Sequence, residues 1–484
     1  MLFCFYIVFN LLILFGMYLA IKDKVNKYKL KEVNNLSNNL KKELTLSQVI
    51  AMAAGGMIAA WMVEMKYWFA LSGTGSLWAL ATTAVLVLPL AFVYSEMSAM
   101  LPFAGGANIW VSNAFGWDLG WYFDWAQLLL YVLAMPTVSY GIVTMTNYFY
   151  ALNFFQTKLI ALIVLILWFF MTNKEIKILG KIQNFLFWIM IATSGFVSIS
   201  LITSGQWSFS NLKPWFPSGF SGYSAAVGIL IFKYIGFDLI PQLSEEANFP
   251  RKDQWKAYIG AIGITFLIYG LAIISNGGIV SAEWIANIDI VDPRVADLVG
   301  KHWLAVLVVV VGILGTVTTL SGFWLSASRC LYGAAQQRQL SPIFTKINKD
   351  GQPYIGNIVV GILAIYFTIF APEQWVEYIY TIYSFVAGIV YTAVVLSFLA
   401  LRKKHPEWER PFKVKGGTIV GASALIFTVW VIYSSISEIS KSSLFLLVGY
   451  FSIGVIFHLY AKKMQKNEPE KWAPIILGPE DIKG

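Results

Sequence analysis

The sequence predicts an all-α integral membrane protein, a 5+5 inverted repeat with twelve core helices and a candidate extra helix at the N-terminus. Three observations carry this. Of 484 residues, 58% are hydrophobic and only 13% are charged, against about 25% charged in soluble domains. Apolar runs of about 20 residues, enough to cross the hydrocarbon core, recur along the whole chain. Two of these runs, five spans apart, carry helix-weakening sequence at their middles.

The twelve spans fall at roughly 47–71, 77–101, 118–147, 158–172, 180–203, 222–247, 256–278, 302–331, 355–371, 375–400, 417–438 and 442–461. Residues 47–203 form the first repeat and 222–400 the second. Residues 415–462 add helices eleven and twelve, and 463–484 are a tail. Residues 1–21 are a separate apolar segment. Its core, LFCFYIVFNLLILFGMYLAI (2–21), lacks the basic start and small-residue cleavage site of a signal peptide. It reads either as a thirteenth span or as an upstream translation artefact. A basic linker, 22–46, follows it.

Orientation follows from Lys and Arg. With 22–46 placed inside, the outer loops hold only Lys158, Lys213, Arg294, Lys301 and Lys441. Lys66 and Lys233 lie within spans, and the remaining 28 of the 35 basic residues fall on the inner side. This asymmetry predicts a multi-pass protein of the cell membrane with its C-terminus in the cytoplasm. It also accounts for the net charge of +9 without a nucleic-acid partner. Cys4 and Cys330 suggest neither a disulfide framework nor a metal site. With three histidines and no HExxH, CxxC or P-loop pattern, a metal or nucleotide enzyme is not expected. No cofactor is implied.

The first span reads SQVIAMAAGGMIAAWMVEMKYWFALSG, with Gly55 and Gly56 near its middle. The sixth reads AAVGILIFKYIGFDLIPQLSEEA, with Gly236 near its middle. Glycine weakens a helix by about 1 kcal/mol relative to alanine. For the Gly55–Gly56 pair alone, close helix packing is the favoured reading. Around Gly236 the chemistry is more specific. Asp238 suits an N-cap and Pro241 the first turn of a restarted helix. Paired interruptions at corresponding places of two halves point to a transporter binding site. Free amides there attract anions and free carbonyls attract cations, which suits a zwitterion. The odd spacing of the two breaks inverts the second unit relative to the first.

Four stretches, in order, resemble the amino acid–polyamine–organocation (APC) superfamily of secondary transporters. They are YSEMSAMLPFAGGANIWVSNAFG (94–116) with its P-x-x-G-G turn, YIGFDLIPQLSEEANFPRK (234–252), SASRCLYGAAQQRQLSPIFTKINKDGQP (326–353) and LRKKHPEWERPFKV (401–414). The resemblance implies a leucine-transporter-type fold working by alternating access. It places Gly55, Gly56 and Met57 on the first break, where backbone amides hold a substrate carboxylate. Phe232, Tyr234 and Ile235 fall where carbonyls receive the amino group and an aromatic ring gates the site. Phe323 and Ser384 fall near the side-chain pocket. The family usually continues its first break as G-x-G, but here Ala59, Ala60 and Trp61 stand in that place. Ala60 and Trp61 join the expected binding set, with less room beside the carboxylate. Some proton-coupled relatives carry a lysine in helix five; 184–198 has none, while helix six has Lys233.

The charged residues keep two readings each. A lysine at the centre of a span costs roughly 2.5–3.5 kcal/mol on insertion scales. Lys233 is therefore either a tether, bonded to freed carbonyls or a carboxylate, or a group that replaces or carries a coupling cation. Glu64 and Lys66, two apart, do not share a helix face. Either one lines an outer vestibule while the other snorkels to the interface, or they contact substrate directly. Glu96, Glu245 and Glu246 read as a structural network or inner gate in preference to ion coupling. Asp124 and Asp238 are candidate proton carriers. Thr318, Thr319 and Ser321 either complete a sodium site with the first break or hydrogen-bond within the bundle. The coupling and gating candidates are thus Lys233, Asp238, Glu64, Glu246 and Thr319.

The expected function is secondary active transport of amino acids or related small amines, by proton coupling or exchange, within a lipid bilayer. A non-transporting sensor or scaffold on the same fold is the alternative. An intramembrane enzyme would need a nucleophile–base or metal constellation within the spans, and the sequence offers none.

Overall fold

A computed structural model describes residues 40–58, 61–370, 375–436 and 439–482 of the protein. The expected apolar segment 1–21 and most of the basic linker 22–46 lie outside these residues. Among the described residues the chain is helical, with no strand and one isolated bridge, Leu44 with Ala247.

The first span is α1 (Leu46–Met57) and α2 (Trp61–Ser72). α3 (Ser76–Met100) follows, then a short α4 (Ala107–Phe115), α5 (Trp117–Thr146), α6 (Phe154–Thr172) and α7 (Ile176–Ile202). The sixth span is α8 (Gly219–Leu230), a 3-10 turn (Ile231–Tyr234) and α9 (Leu239–Leu243). Next come α10 (Gln254–Gly277), two short helices α11 (Ala282–Ala286) and α12 (Val291–Leu298), α13 (His302–Gln336) and α14 (Tyr354–Phe370). α15 (Trp375–Lys404), α16 (Gly417–Ile436), α17 (Lys441–Asn467) and α18 (Pro469–Trp472) complete the order. Among the described residues, ten helical stretches are long and apolar enough to cross a membrane, α2 running into α3 as one of them; α1 and α14 are shorter apolar helices.

Local chemistry explains the starts. Thr45 and Gln48 form a capping box ahead of α1, and Asn153 and Gln156 do the same for α6, which pairs backbone amides that a helix start leaves open. α5 and α13 pack along each other at the centre. α6 instead turns Phe155, Leu167 and Phe170 outward, as a helix facing lipid tails does.

The end of the bundle expected to face the cytoplasm is tied by buried charge. Glu246 takes two hydrogen bonds of 2.8 Å from Arg329, and both side chains are fully buried. Arg329 also donates to Gln352. Glu96 accepts from Arg402 and from the Val414 amide, and Arg410 lies 3.2 Å away. The P-x-x-G-G turn explains itself here. Gly105 N–H donates to Gln242 and Ala104 N–H to Glu245. Gly106 has φ +29°, and a Cβ there would meet Pro241 Cβ at 2.5 Å. Only glycine lets this turn lie against α9.

Candidate functional site

α1 stays helical through Met57, and Ile58 N–H still bonds the Ala54 carbonyl. The interruption therefore falls after the glycines, not on 55–57 as the sequence suggests. A deficit of about 1 kcal/mol per glycine does not break a helix that is packed on all sides. A Cβ on Gly55 would meet Thr318 Oγ1 at 2.7 Å, and one on Gly56 would meet Leu239 Cδ1 at 2.6 Å. The pair lets α1 lie against α13 and α9. Ala60 lies outside the described residues.

The sixth span winds tighter through Ile231–Tyr234, becomes extended at Ile235 and turns at Gly236, φ +138°. A Cβ on Gly236 would lie 3.0 Å from Met57 N and 3.1 Å from Gly56 C. The two interrupted spans touch backbone to backbone there, and the positive φ also demands glycine. Asp238 occupies the N-cap position, but its side chain makes no cap bond. The first amides of the restart already reach Gly236 and Phe237 carbonyls, so a side-chain cap has no donor to serve. Asp238 Oδ2 instead accepts from Gln127 at 2.8 Å, and its carbonyl accepts from the Tyr131 hydroxyl.

Lys233 forms an ion pair with Glu64. Both are buried, at 1% and 4% exposure. Glu64 therefore does not line an open outer vestibule; the lysine of the other interrupted span reaches it. Glu64 sits in the first turn of α2 and Lys233 in the last turn before the second break. Helix starts favour anions and helix ends favour cations, so each charge sits where its own half-helix favours it. The Lys233 ammonium also lies 5.1 Å from the Phe232 ring centre and 5.8 Å from those of Trp68 and Tyr269.

A small, partly enclosed cavity of about 30 Å³ lies where the breaks meet. Gly56, Met57, Glu64, Phe232, Lys233, Ile235 and Phe323 line it, with Ala134, Thr137 and Val138 of α5 and Tyr383 of α15. Other residues proposed from sequence lie elsewhere. Gly55 packs on α13. Tyr234 turns to α3, its hydroxyl donating to the Leu80 carbonyl. Ser384 is one residue from Tyr383, about 100° round the helix. A larger open groove of about 450 Å³, at Thr45 and Gln48 against Lys181 and Trp188, includes neither break.

The sequence model of the family described as amino acid permease matches residues 44–457. The chain belongs to this family. The branched-chain amino acid permease BcaP of Bacillus subtilis (strain 168) is 22% identical over 459 residues, covering 88% of this permease and 95% of that protein. The aspartate-proton symporter of the same organism is 24% identical over 420 residues, covering 82% and 80%. Its gamma-aminobutyric acid permease is 24% identical over 487 residues, covering 93% and 100%. Among solved structures, a manganese transporter of Eremococcus coleocola, crystallised with an aromatic bis-isothiourea compound, superposes with a TM-score of 0.58 at 12% identity. It covers 91% of the permease and 99% of that chain, a likeness of fold alone.

Around the site, hydroxyls and amides of the permease take up carbonyls at the end of α1 and along the facing part of α13. Thr319 donates to the Gly55 carbonyl and Tyr269 to that of Met57. Gln183 donates to the Thr318 carbonyl at 2.7 Å, and Thr318 to Gly315 at 2.6 Å. Deeper in the bundle, Asp124 faces the Cys330 thiol and the Asn108 amide. Glu246 belongs to the Arg329 network at the bundle end, away from the cavity.

Over α2, the buried carboxyl of Asp292 on α12 accepts from Asn276 and faces the Trp61 indole. Burial pushes it up to about 6, against those hydrogen bonds. An acid raised in the folded state binds more protons there than in the unfolded chain. Its contribution is therefore most favourable near pH 4 and is lost as pH rises to about 6, by roughly 2–3 kcal/mol. Asp292→Asn is expected to raise the melting temperature at pH 7.5 and leave it nearly unchanged at pH 4.5. A variant-minus-wild-type difference that does not vary with pH would remove Asp292 as the cause.

Proposed function

We propose that the permease is a secondary active transporter of amino acids, working by alternating access within the membrane. The observation that carries this is the small cavity at the contact of two interrupted spans, lined by residues flanking both breaks. Interrupted spans that meet inside protein keep their free backbone groups away from lipid and offer them to a substrate. On this reading 47–203 and 222–400 are inverted repeats, and 415–462 are additions. At about 30 Å³ the cavity holds only a water or two. The half-helix α2 and the turn Ile231–Tyr234 must part from α5 to admit substrate.

Coupling by protons is the reading the polar network favours. Thr319 and Tyr269 donate to the Gly55 and Met57 carbonyls beside the first break, which a sodium ion would need. Asp238 sits on the restarted half-helix, buried, with the neutral Gln127 amide as partner. In proteoliposomes, uptake of labelled amino acids is expected to accelerate with an inward proton gradient and to be unchanged when choline replaces sodium. Asp238→Asn is expected to lose the acceleration and keep amino acid exchange. Sodium-dependent uptake would overturn the coupling reading, and no uptake of any amino acid would overturn the function itself.

The charge asymmetry supports a cytoplasmic C-terminus. A cysteine at Asn467, in a background lacking Cys4 and Cys330, is expected to resist an impermeant thiol reagent in intact cells. One at Ser204 is expected to react. The reverse pattern would invert the topology.

A further inference from the structure

We propose that Glu64 and Lys233 are the specificity-determining pair of the permease, and that they select a substrate bearing one ammonium and one carboxylate by exchanging partners with it. The inference rests on the transport reading above and assigns the chemistry within that site. Both side chains line the small cavity at the breaks, one from each interrupted span. With no substrate they neutralise each other. Few groups near them could take over that task. The Lys233 ammonium is otherwise surrounded by the rings of Phe232, Trp68 and Tyr269, and α5 contributes Ala134, Thr137 and Val138.

A ligand that parts the pair must replace what each charge loses. A dipolar amino acid does so, its carboxylate meeting Lys233 and its ammonium meeting Glu64. Four alternating charges then share the cavity and none is unpaired. An amine alone satisfies Glu64 and strands Lys233. A carboxylate alone strands Glu64. A buried charge without a partner is strongly unfavourable, enough for discrimination of at least about 100-fold. The half-helix ends hold the two charges in this order, which fixes the direction in which the ligand lies.

The test is competition against labelled amino acid uptake in proteoliposomes. The probes are L-alanine and L-leucine, their decarboxylated forms ethylamine and isoamylamine, and their deaminated forms propionate and 4-methylpentanoate. In the wild type the amines and acids are expected to compete at least about 100-fold more weakly than the parent amino acids. Lys233→Gln is expected to shift preference towards the amines and Glu64→Gln towards the acids, each by about 10-fold or more. The exchange Glu64→Lys/Lys233→Glu is expected to restore preference for the parent amino acids. If a single variant does not fold, Glu64→Gln/Lys233→Gln carries the test, since it leaves no unpaired charge. It is expected to reduce the discrimination below about 10-fold. Wild-type uptake with mono-charged probes competing equally, or neutral-pair variants keeping the full discrimination, would overturn the inference and leave the transport reading standing. Absence of wild-type uptake of every amino acid would instead fail the transport reading.

Discussion

Lys233→Met is expected to destabilise the folded permease by about 3–5 kcal/mol, because it leaves the Glu64 carboxylate buried without a cation. The loss comes from the stranded partner more than from the contact itself. Lys233→Met/Glu64→Gln is therefore expected to recover most of the stability, since replacing both members of a buried pair by neutral groups is often close to neutral. Thermal unfolding of the purified single and double variants measures this. A coupling of at least about 2 kcal/mol between the two positions is expected. Losses that simply add would show that Glu64 and Lys233 do not meet in the folded protein.

Arg329→Met is expected to cost a similar amount, about 3–5 kcal/mol, by stranding Glu246. Both side chains are fully buried, and Gln352 loses its donor as well. The effect should also spread to the start of α1. The Glu246 carbonyl accepts from the Glu43 and Leu44 amides, and Asn248 N–H donates back to the Leu44 carbonyl. A cysteine at Leu44, buried in the wild type, is expected to become reactive in Arg329→Met. Glu246→Gln should cost a comparable amount, because it leaves the buried Arg329 cation without an anion and sets an amide NH2 against one of the two guanidinium donors. Equal stability of Arg329→Met and wild type would show that this end of the bundle is held by other contacts.

Much of the architecture is legible in the chain. A span needs only about 20 apolar residues in a row, a property of composition that survives any packing. The second interruption is legible for a similar reason. Gly236 takes a φ of +138°, which excludes side chains whatever surrounds it, and the Pro241 and Asp238 around it suit a restart. The first interruption reads two residues early because glycine tolerates a break without requiring one. Gly55 and Gly56 serve close contact with Thr318 and Leu239, neighbours more than 180 residues away.

The partner of Lys233 is not legible from local pattern. Its sequence position demands an anion or freed carbonyls, but several carboxylates satisfy that demand on paper. A signal exists in retrospect: Glu64 lies in the first turn after one break and Lys233 in the last turn before the other, so the two breaks in contact bring them together. On the tenth span the expected Ser384 gives way to Tyr383 at the cavity. Both faces of that helix are apolar, and a one-residue change of register turns the helix by about 100°, so hydropathy cannot choose between them. Asp238 shows the same limit. Its suitability as a cap is a local property, but the restart begins with tight turns whose amides already have carbonyl partners, and the carboxyl turns to Gln127 instead.

The sequence by itself determined the solvent, the basic asymmetry between the two ends of its spans and the two spans that break. Each of these depends on composition or on backbone freedom within a few residues. Only the tertiary structure decided which atoms meet at those breaks: Gly236 against Met57, Glu64 against Lys233, Thr319 against the Gly55 carbonyl. A buried charge or a freed carbonyl states locally that it must be satisfied, but its partner is chosen by helices far away in the chain that packing brings within hydrogen-bond reach.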